Sequence, residues 1–175
     1  GKIKIACETY TWQMPGESYK GKLDHIMGIV SAAGFAGIEP ETSFFGDLSD
    51  PIKMKDTLAK HNLELSVLCH VEDWRNPKET GKEKANAEKW IDFLSHFPDT
   101  IYLPVQMPGK DRSNLQERQK NLLSCVNALA ERASASGIKC SYHPNSPMGS
   151  VFRTEEDYKI LLNGLNPKFI GYCPD

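Results

Sequence analysis

Charge of one sign is what this chain most lacks. Its 21 Lys and Arg stand against 23 Asp and Glu, a net charge of −2. That balance gives no electrostatic footprint for nucleic acid or for an anionic membrane. Long apolar runs are missing too, and nothing approaches the roughly 20 residues needed to span a bilayer. The N-terminus, GKIKIACETY, passes straight into a strand-like run, so no signal peptide is visible. It has no starting Met either, which leaves room for a processed end. Cysteines are few, at 7, 69, 125, 140 and 173, odd in number and with no C-x-x-C pair. They read as small buried hydrophobes in a reduced, cytoplasmic protein and not as a zinc site. G-x-G-x-x-G after the first strand and G-x-x-x-x-G-K-[ST] anywhere are both absent, which disfavours a nucleotide-binding doubly wound sheet. After the last strand-like run, KFIGYCPD, there is neither a helix nor a polar tail.

What is present is a soluble composition, 39% hydrophobic and 25% charged, and a regular alternation of strand and helix. Strand-like runs cover Ile3–Glu8, Ala36–Glu41, Leu63–His70, Ile101–Val105, Ile138–His143 and Lys168–Asp175. Their starts lie roughly 28 to 38 residues apart, the size of a βαβ unit. Between them, Leu23, Ile26, Met27 and Val30 mark one helix face, with Gly34 as its stop. Asp50-Pro51 opens the next helix as N-cap and N1 proline. Thr80 with Glu83 and Ser113 with Gln116 read as capping boxes, and Thr154 as a further cap. Strict alternation predicts a parallel sheet with right-handed crossovers. The expected architecture is a (β/α)8 barrel, typically about 250 residues, here with six units in a single domain over residues 1–175. Strands seven and eight would be missing, and the open strand edges leave room for a homo-oligomer.

Strand parity then sorts the side chains. With the apolar faces packed on helices, the more polar faces look into the barrel. That predicts Glu8, Glu39, Glu41, His70 and His143 at the C-terminal rim, where such barrels keep their active sites. Gln106 joins from the fourth strand, and Gly171, Cys173 and Asp175 from the sixth. Glu39 and His143 each precede a proline and are held extended. Plain alternatives stand beside these roles. Glu8 and Glu41 can be solvated loop residues, His70 a strand cap, and His143 a support for the loop that follows it. Trp12 and Trp74, just after strands one and three, suit either a sugar's apolar face or ordinary packing.

The runs GYCPD, SYHPNSPMGSVFRTEEDYKILLNGL and GFAGIEPE resemble the xylose-isomerase-like TIM-barrel superfamily, the sugar phosphate isomerase/epimerase group. Tyr142-His143-Pro144-Asn145 matches its fifth-strand end and Asp175 its sixth. The resemblance implies a divalent metal at the rim, Mn, Mg, Co or Zn, with Asp175 as a ligand. The His expected three residues beyond it and two later ligands lie past the end of the chain. It further implies metal-assisted proton transfer next to a carbonyl, with His143 and Glu39 catalytic. His70, Glu8, Glu41, Gln106, Trp12, Trp74 and Asn145 would then meet a small sugar substrate. Arg153 stands where dehydratase-like members tend to carry Glu, a departure from that activity. Two rivals remain. One is a non-catalytic or degenerate sugar-binding barrel. The other is an endonuclease-IV-like zinc phosphodiesterase, against which five histidines and the net charge of −2 both argue.

Overall fold

The computed structural model describes residues 4–13 and 16–174. Strand β1 (Ala6–Glu8) leads into a short helix α1 (Tyr10–Gln13), and α2 (Leu23–Ala32) returns to β2 (Gly37–Glu39). Helix α2 buries the four residues its periodicity predicts, Leu23, Ile26, Met27 and Val30. Helix α3 (Pro51–His61) begins where Asp50 accepts from the N–H groups of Ile52 and Lys53, and it ends at Asn62 in the left-handed region. The third strand comes in two pieces, β3 (Glu64–Leu65) and β4 (Val67–Glu72). Helix α4 (Gly81–Leu94), β5 (Ile101–Gln106), α5 (Leu115–Ala135), β6 (Cys140–Tyr142), α6 (Glu155–Gly164) and β7 (Ile170–Tyr172) complete the order.

All pairings are parallel, in the orders β1-β2-β3 and β4-β5-β6-β7. The Cys69 N–H donates to the Pro40 carbonyl, and Glu41 bridges Cys69, so the two sheets continue one another. This is the six-unit, incomplete (β/α)8 barrel. The described residues contain no helix long and apolar enough to cross a membrane.

The break at Ser66 matters most for function. Leu63 and Leu65 are buried, and so are Leu68 and His70. The buried set moves from odd to even positions across Ser66-Val67, as one extra residue in a strand requires. Near the break, Gly37 is pressed close to its neighbours. A Cβ there would collide with Ser66 Oγ and approach Ala6 Cβ to 3.2 Å. Small side chains thus line the concave side of β1, β2 and β3, and the core lies on the helix side.

Two capping boxes form in full, Thr80 with Glu83 and Thr154 with Asp157. The box expected at Ser113 and Gln116 does not. Helix α5 starts at Leu115 behind Asn114, which is left-handed (φ 52) and gives no side-chain cap. The Ser113 N–H instead donates to Asp111 Oδ1, an Asx turn that takes the chain out of capping register.

Candidate functional site

The concave face is built from register. Glu8 is paired with Glu39 across β1 and β2, so both carboxylates leave the sheet on the same side at the C-terminal strand ends. Glu8 is exposed and Glu39 half-buried. Burial pushes the Glu39 carboxyl above its ordinary value and the Glu8 charge adds to it, while His143 pulls the other way. These three side chains therefore share one electrostatic neighbourhood. Cys69 joins them. Its thiol is pushed far up, by burial first and then by Glu41, Glu8 and Glu39.

His143 reaches this face as parity predicts. Ser141 is in register with Gly171 on the open side, while Cys140 and Tyr142 are buried toward the helices. His143 Nδ1 lies 3.2 Å from the Cys173 carbonyl. A carbonyl only accepts, so Nδ1 carries a proton. Pro144 behind it is buried, which holds the approach to the ring.

Other expected site residues are employed elsewhere. His70 does not enter the barrel. The extra residue at Ser66 turns it to the helix side, 2% exposed, with Nδ1 2.6 Å from Tyr102 Oη and Nε2 3.0 Å from Glu72. Gln106 follows the same parity, in register with Glu72, and its Nε2 donates to the Asp73 carbonyl at 2.7 Å. Asn145 Nδ2 donates to the Gln106 carbonyl at 2.7 Å and so ties the end of β6 to the end of β5. Trp74 is fully buried at φ 44, edge-on to His70, and cannot serve as a sugar platform. Trp12 is half-buried against the core. Glu41 caps the turn at Thr42–Phe44, accepting from the Ser43 N–H at 3.0 Å and from the Ser43 and Thr42 hydroxyls. Asp175 lies outside the described residues. Arg153 is exposed and donates from Nε to the Ser146 carbonyl, within its own loop. Cys69 is the concave-face residue that parity missed. The adjacent apolar pair Val67-Leu68, which interrupts strict alternation, was the signal available for it.

Among the described residues, no three His, Cys, Asp or Glu side chains come together to hold a metal ion. The carboxylates of β1 and β2 have the chemistry of proton carriers: they are neighbours of like charge, and Glu39 is partly desolvated.

The xylose isomerase-like TIM-barrel family model matches residues 27–175, and the chain belongs to that family. Among solved structures, the IolI protein with a bound zinc atom superposes with a TM-score of 0.71 at 18% identity, over 97% of this chain and 62% of its own. The probable 3-DHS dehydratase AsbF of Bacillus anthracis gives 0.71 at 16%, over 99% and 63%. The D-psicose 3-epimerase of Clostridium cellulolyticum H10, solved with D-tagatose, gives 0.69 at 13%, over 99% and 63%. At such identities the likeness establishes the fold. The chain spans less than two thirds of the length of each of these proteins. Among curated proteins none matches it.

Proposed function

We propose that the complete protein is a sugar or sugar-phosphate isomerase or epimerase that moves a proton at the carbon next to a carbonyl. One observation carries the reading: Glu8 and Glu39 stand in register on the concave face, with neither in a salt bridge among the described residues. Like charges directly opposite one another destabilise a sheet, so a protein keeps them for a use. Glu39, its proton affinity raised by burial and by Glu8, takes the proton from carbon and returns it. His143, held through Nδ1 at the Cys173 carbonyl, stands beside this pair and would contact a sugar hydroxyl.

A divalent cation, Mn, Mg, Co or Zn, belongs to the reading, with Asp175 among its ligands in the complete protein. When bound it would polarise the substrate carbonyl. The zinc in the IolI protein supports it. The 175 residues alone are expected to be inactive. The reading also places the protein in the cytoplasm, in keeping with five cysteines that form no disulfide.

The test is solvent exchange. The complete protein is incubated with a panel of ketoses and aldoses, free and phosphorylated, in D2O, and the carbon-bound protons are followed by NMR. Exchange at the carbon beside the carbonyl, lost in Glu39→Gln, is the expected result. Sugar binding without exchange across the panel would replace this reading with a non-catalytic sugar-binding barrel.

A further inference from the structure

On the loops after β4 and β5, three cations meet at one cleft. We propose that this cleft binds the phosphoryl group of a small phosphorylated ligand. It measures about 500 Å³ and is lined by Arg75, Lys110 and Arg118 with Asp111, Ser113 and Asn114. One carboxylate therefore faces three cations.

The arrangement is built, not incidental. The loop after β5 and the loop after β6 pack backbone to backbone at Gly109 and Gly149. A Cβ on Gly149 would collide with the Gly109 carbonyl, and the Gly109 N–H donates to the Gly149 carbonyl at 3.3 Å. That close approach sets the wall against which the arginines lie. The place where a Gly109 side chain would begin is 2.5 Å from a terminal nitrogen of Arg118 and 3.3 Å from one of Arg75. The two guanidinium groups are thus near neighbours. Arg118 is held in place: one terminal nitrogen donates to the Asp111 and Ser113 carbonyls at 2.8 and 3.1 Å, the other to the Gly149 carbonyl at 3.4 Å. Its Nε is buried with no hydrogen-bond partner among the described residues. Arg75 and Lys110 are exposed and form no salt bridge among the described residues. Burial and then the nearby Arg75 lower the proton affinity of Arg118, while Asp111 acts the other way, so the cations outweigh the one carboxylate beside them. Helix α5, 21 residues long, begins at the same cleft behind an Asn114 that supplies no side-chain cap. Its first-turn N–H groups add positive potential there.

Two guanidinium groups, an ammonium and a helix start complement a phosphate dianion, whose oxygens accept several charge-assisted hydrogen bonds at once. The cleft sits among loops at the C-terminal strand ends, the side that carries Glu39 and His143. This deepens the isomerase reading, on which it rests only for the identity of the ligand: the substrate would be the phosphorylated form of a sugar. A nucleic-acid backbone offers the same oxygens, but the chain's net charge of −2 provides no wider basic surface to follow one.

The experiment is a binding titration on the complete protein by calorimetry. The probes are inorganic phosphate, a hexose phosphate, the same hexose without phosphate, and a short DNA duplex. The variants are Arg75→Gln and Lys110→Gln, whose side chains hold no loop together; Arg118 is left intact because its bonds fix the loops. The expected result is that the hexose phosphate binds at least 10-fold tighter than the free hexose. Each variant should cut that affinity 5- to 20-fold with an unchanged melting temperature. Equal affinity for the two hexoses, or no effect of either variant, overturns the site. So does a duplex that outbinds the hexose phosphate, which would make the cleft a nucleic-acid contact. Because the readout is binding, phosphate binding without sugar turnover would sink only the isomerase reading. Turnover that ignores phosphate and both variants would sink only this site.

Discussion

Two parts of the barrel treat their polar residues in opposite ways. At the ends of β4 and β5 the side chains of His70, Glu72 and Gln106 are each hydrogen-bonded to another group of the protein. His70 sits between Tyr102 and Glu72, and Glu72 also accepts from Asn86 at 2.7 Å. Gln106 and Asn145 tie carbonyls from loop to loop. At the ends of β1 and β2, Glu8 and Glu39 stand side by side with no cation bridging them among the described residues. The first arrangement is what buried polar groups need in order to be tolerated. The second costs stability where it stands, which is what the proposed site would require. The lesson is that residue type does not separate site from scaffold. His70 and His143 both end strands of one barrel, and only their surroundings distinguish them.

The sharpest test of that contrast is Glu39→Gln in the complete protein. If Glu39 carries the proton, the amide should lower kcat/KM by about 10³-fold, within the usual range for a general base. The fold should be untouched, since Glu39 makes no side-chain hydrogen bond among the described residues that an amide would lose. A variant with more than a tenth of wild-type activity would move the chemistry away from the carboxylate pair.

His143→Ala comes next. Loss of a hydrogen bond near developing charge should lower kcat/KM by about 10²-fold, with little change in melting temperature. The competing role is to hold the loop that follows it, through the contact of Nδ1 with the Cys173 carbonyl. A variant that melts several degrees lower while keeping its activity per folded molecule would assign His143 to the scaffold side of the comparison.

Tyr102→Phe probes the locked side. It removes the hydroxyl on His70 Nδ1 inside a fully buried pair. The expected cost is about 1–2 kcal/mol of stability, the price of one buried group left unpaired. Activity should be unchanged apart from the loss of folded protein. A fall in kcat with normal stability would bring His70 back toward the site.

Much of this division was legible before the structure, and its failures have one physical origin. The helix faces, three of the caps, the parallel sheet and the placing of Glu8, Glu39 and His143 follow from period and parity, which are local rules. His70 and Gln106 were misplaced because parity was carried through Ser66 as though the strand were continuous. One extra residue inverts every side chain beyond it, and β5 is in register with the inverted segment. Trp74 was open to two readings, and only tertiary packing decides between them. Glu41 has the parity of a rim residue, but its carboxylate is spent on a turn that begins at the next position. The Arg75–Arg118 cleft was out of reach altogether, since it depends on two loops meeting at Gly109 and Gly149.

The smallest effect is also the most direct measure of the cost at β1 and β2. Burial, and then Glu8, raise the proton affinity of Glu39 in the folded state. An acid with a raised folded pKa binds protons more tightly folded than unfolded. Stability is therefore fully present below its unfolded pKa of about 4.3 and is lost as pH rises through the folded pKa. Above its folded pKa the wild-type protein bears that loss. Glu39→Gln cannot ionise and escapes it, so the variant that loses activity should melt higher than wild type at pH 7 to 8. Glu39 is half-exposed, and solvent screening holds the gain below about 1 kcal/mol, a few degrees at most for a chain of this size. The two melting temperatures should converge as pH falls toward 4, where the wild-type carboxyl is protonated as well. Thermal melts of both proteins from pH 4 to 8 give the answer. A Glu39→Gln protein that melts lower than wild type at pH 8 would mean that Glu39 is stabilised by its surroundings, and the contrast between an open, costly pair and a locked network would fail at its centre.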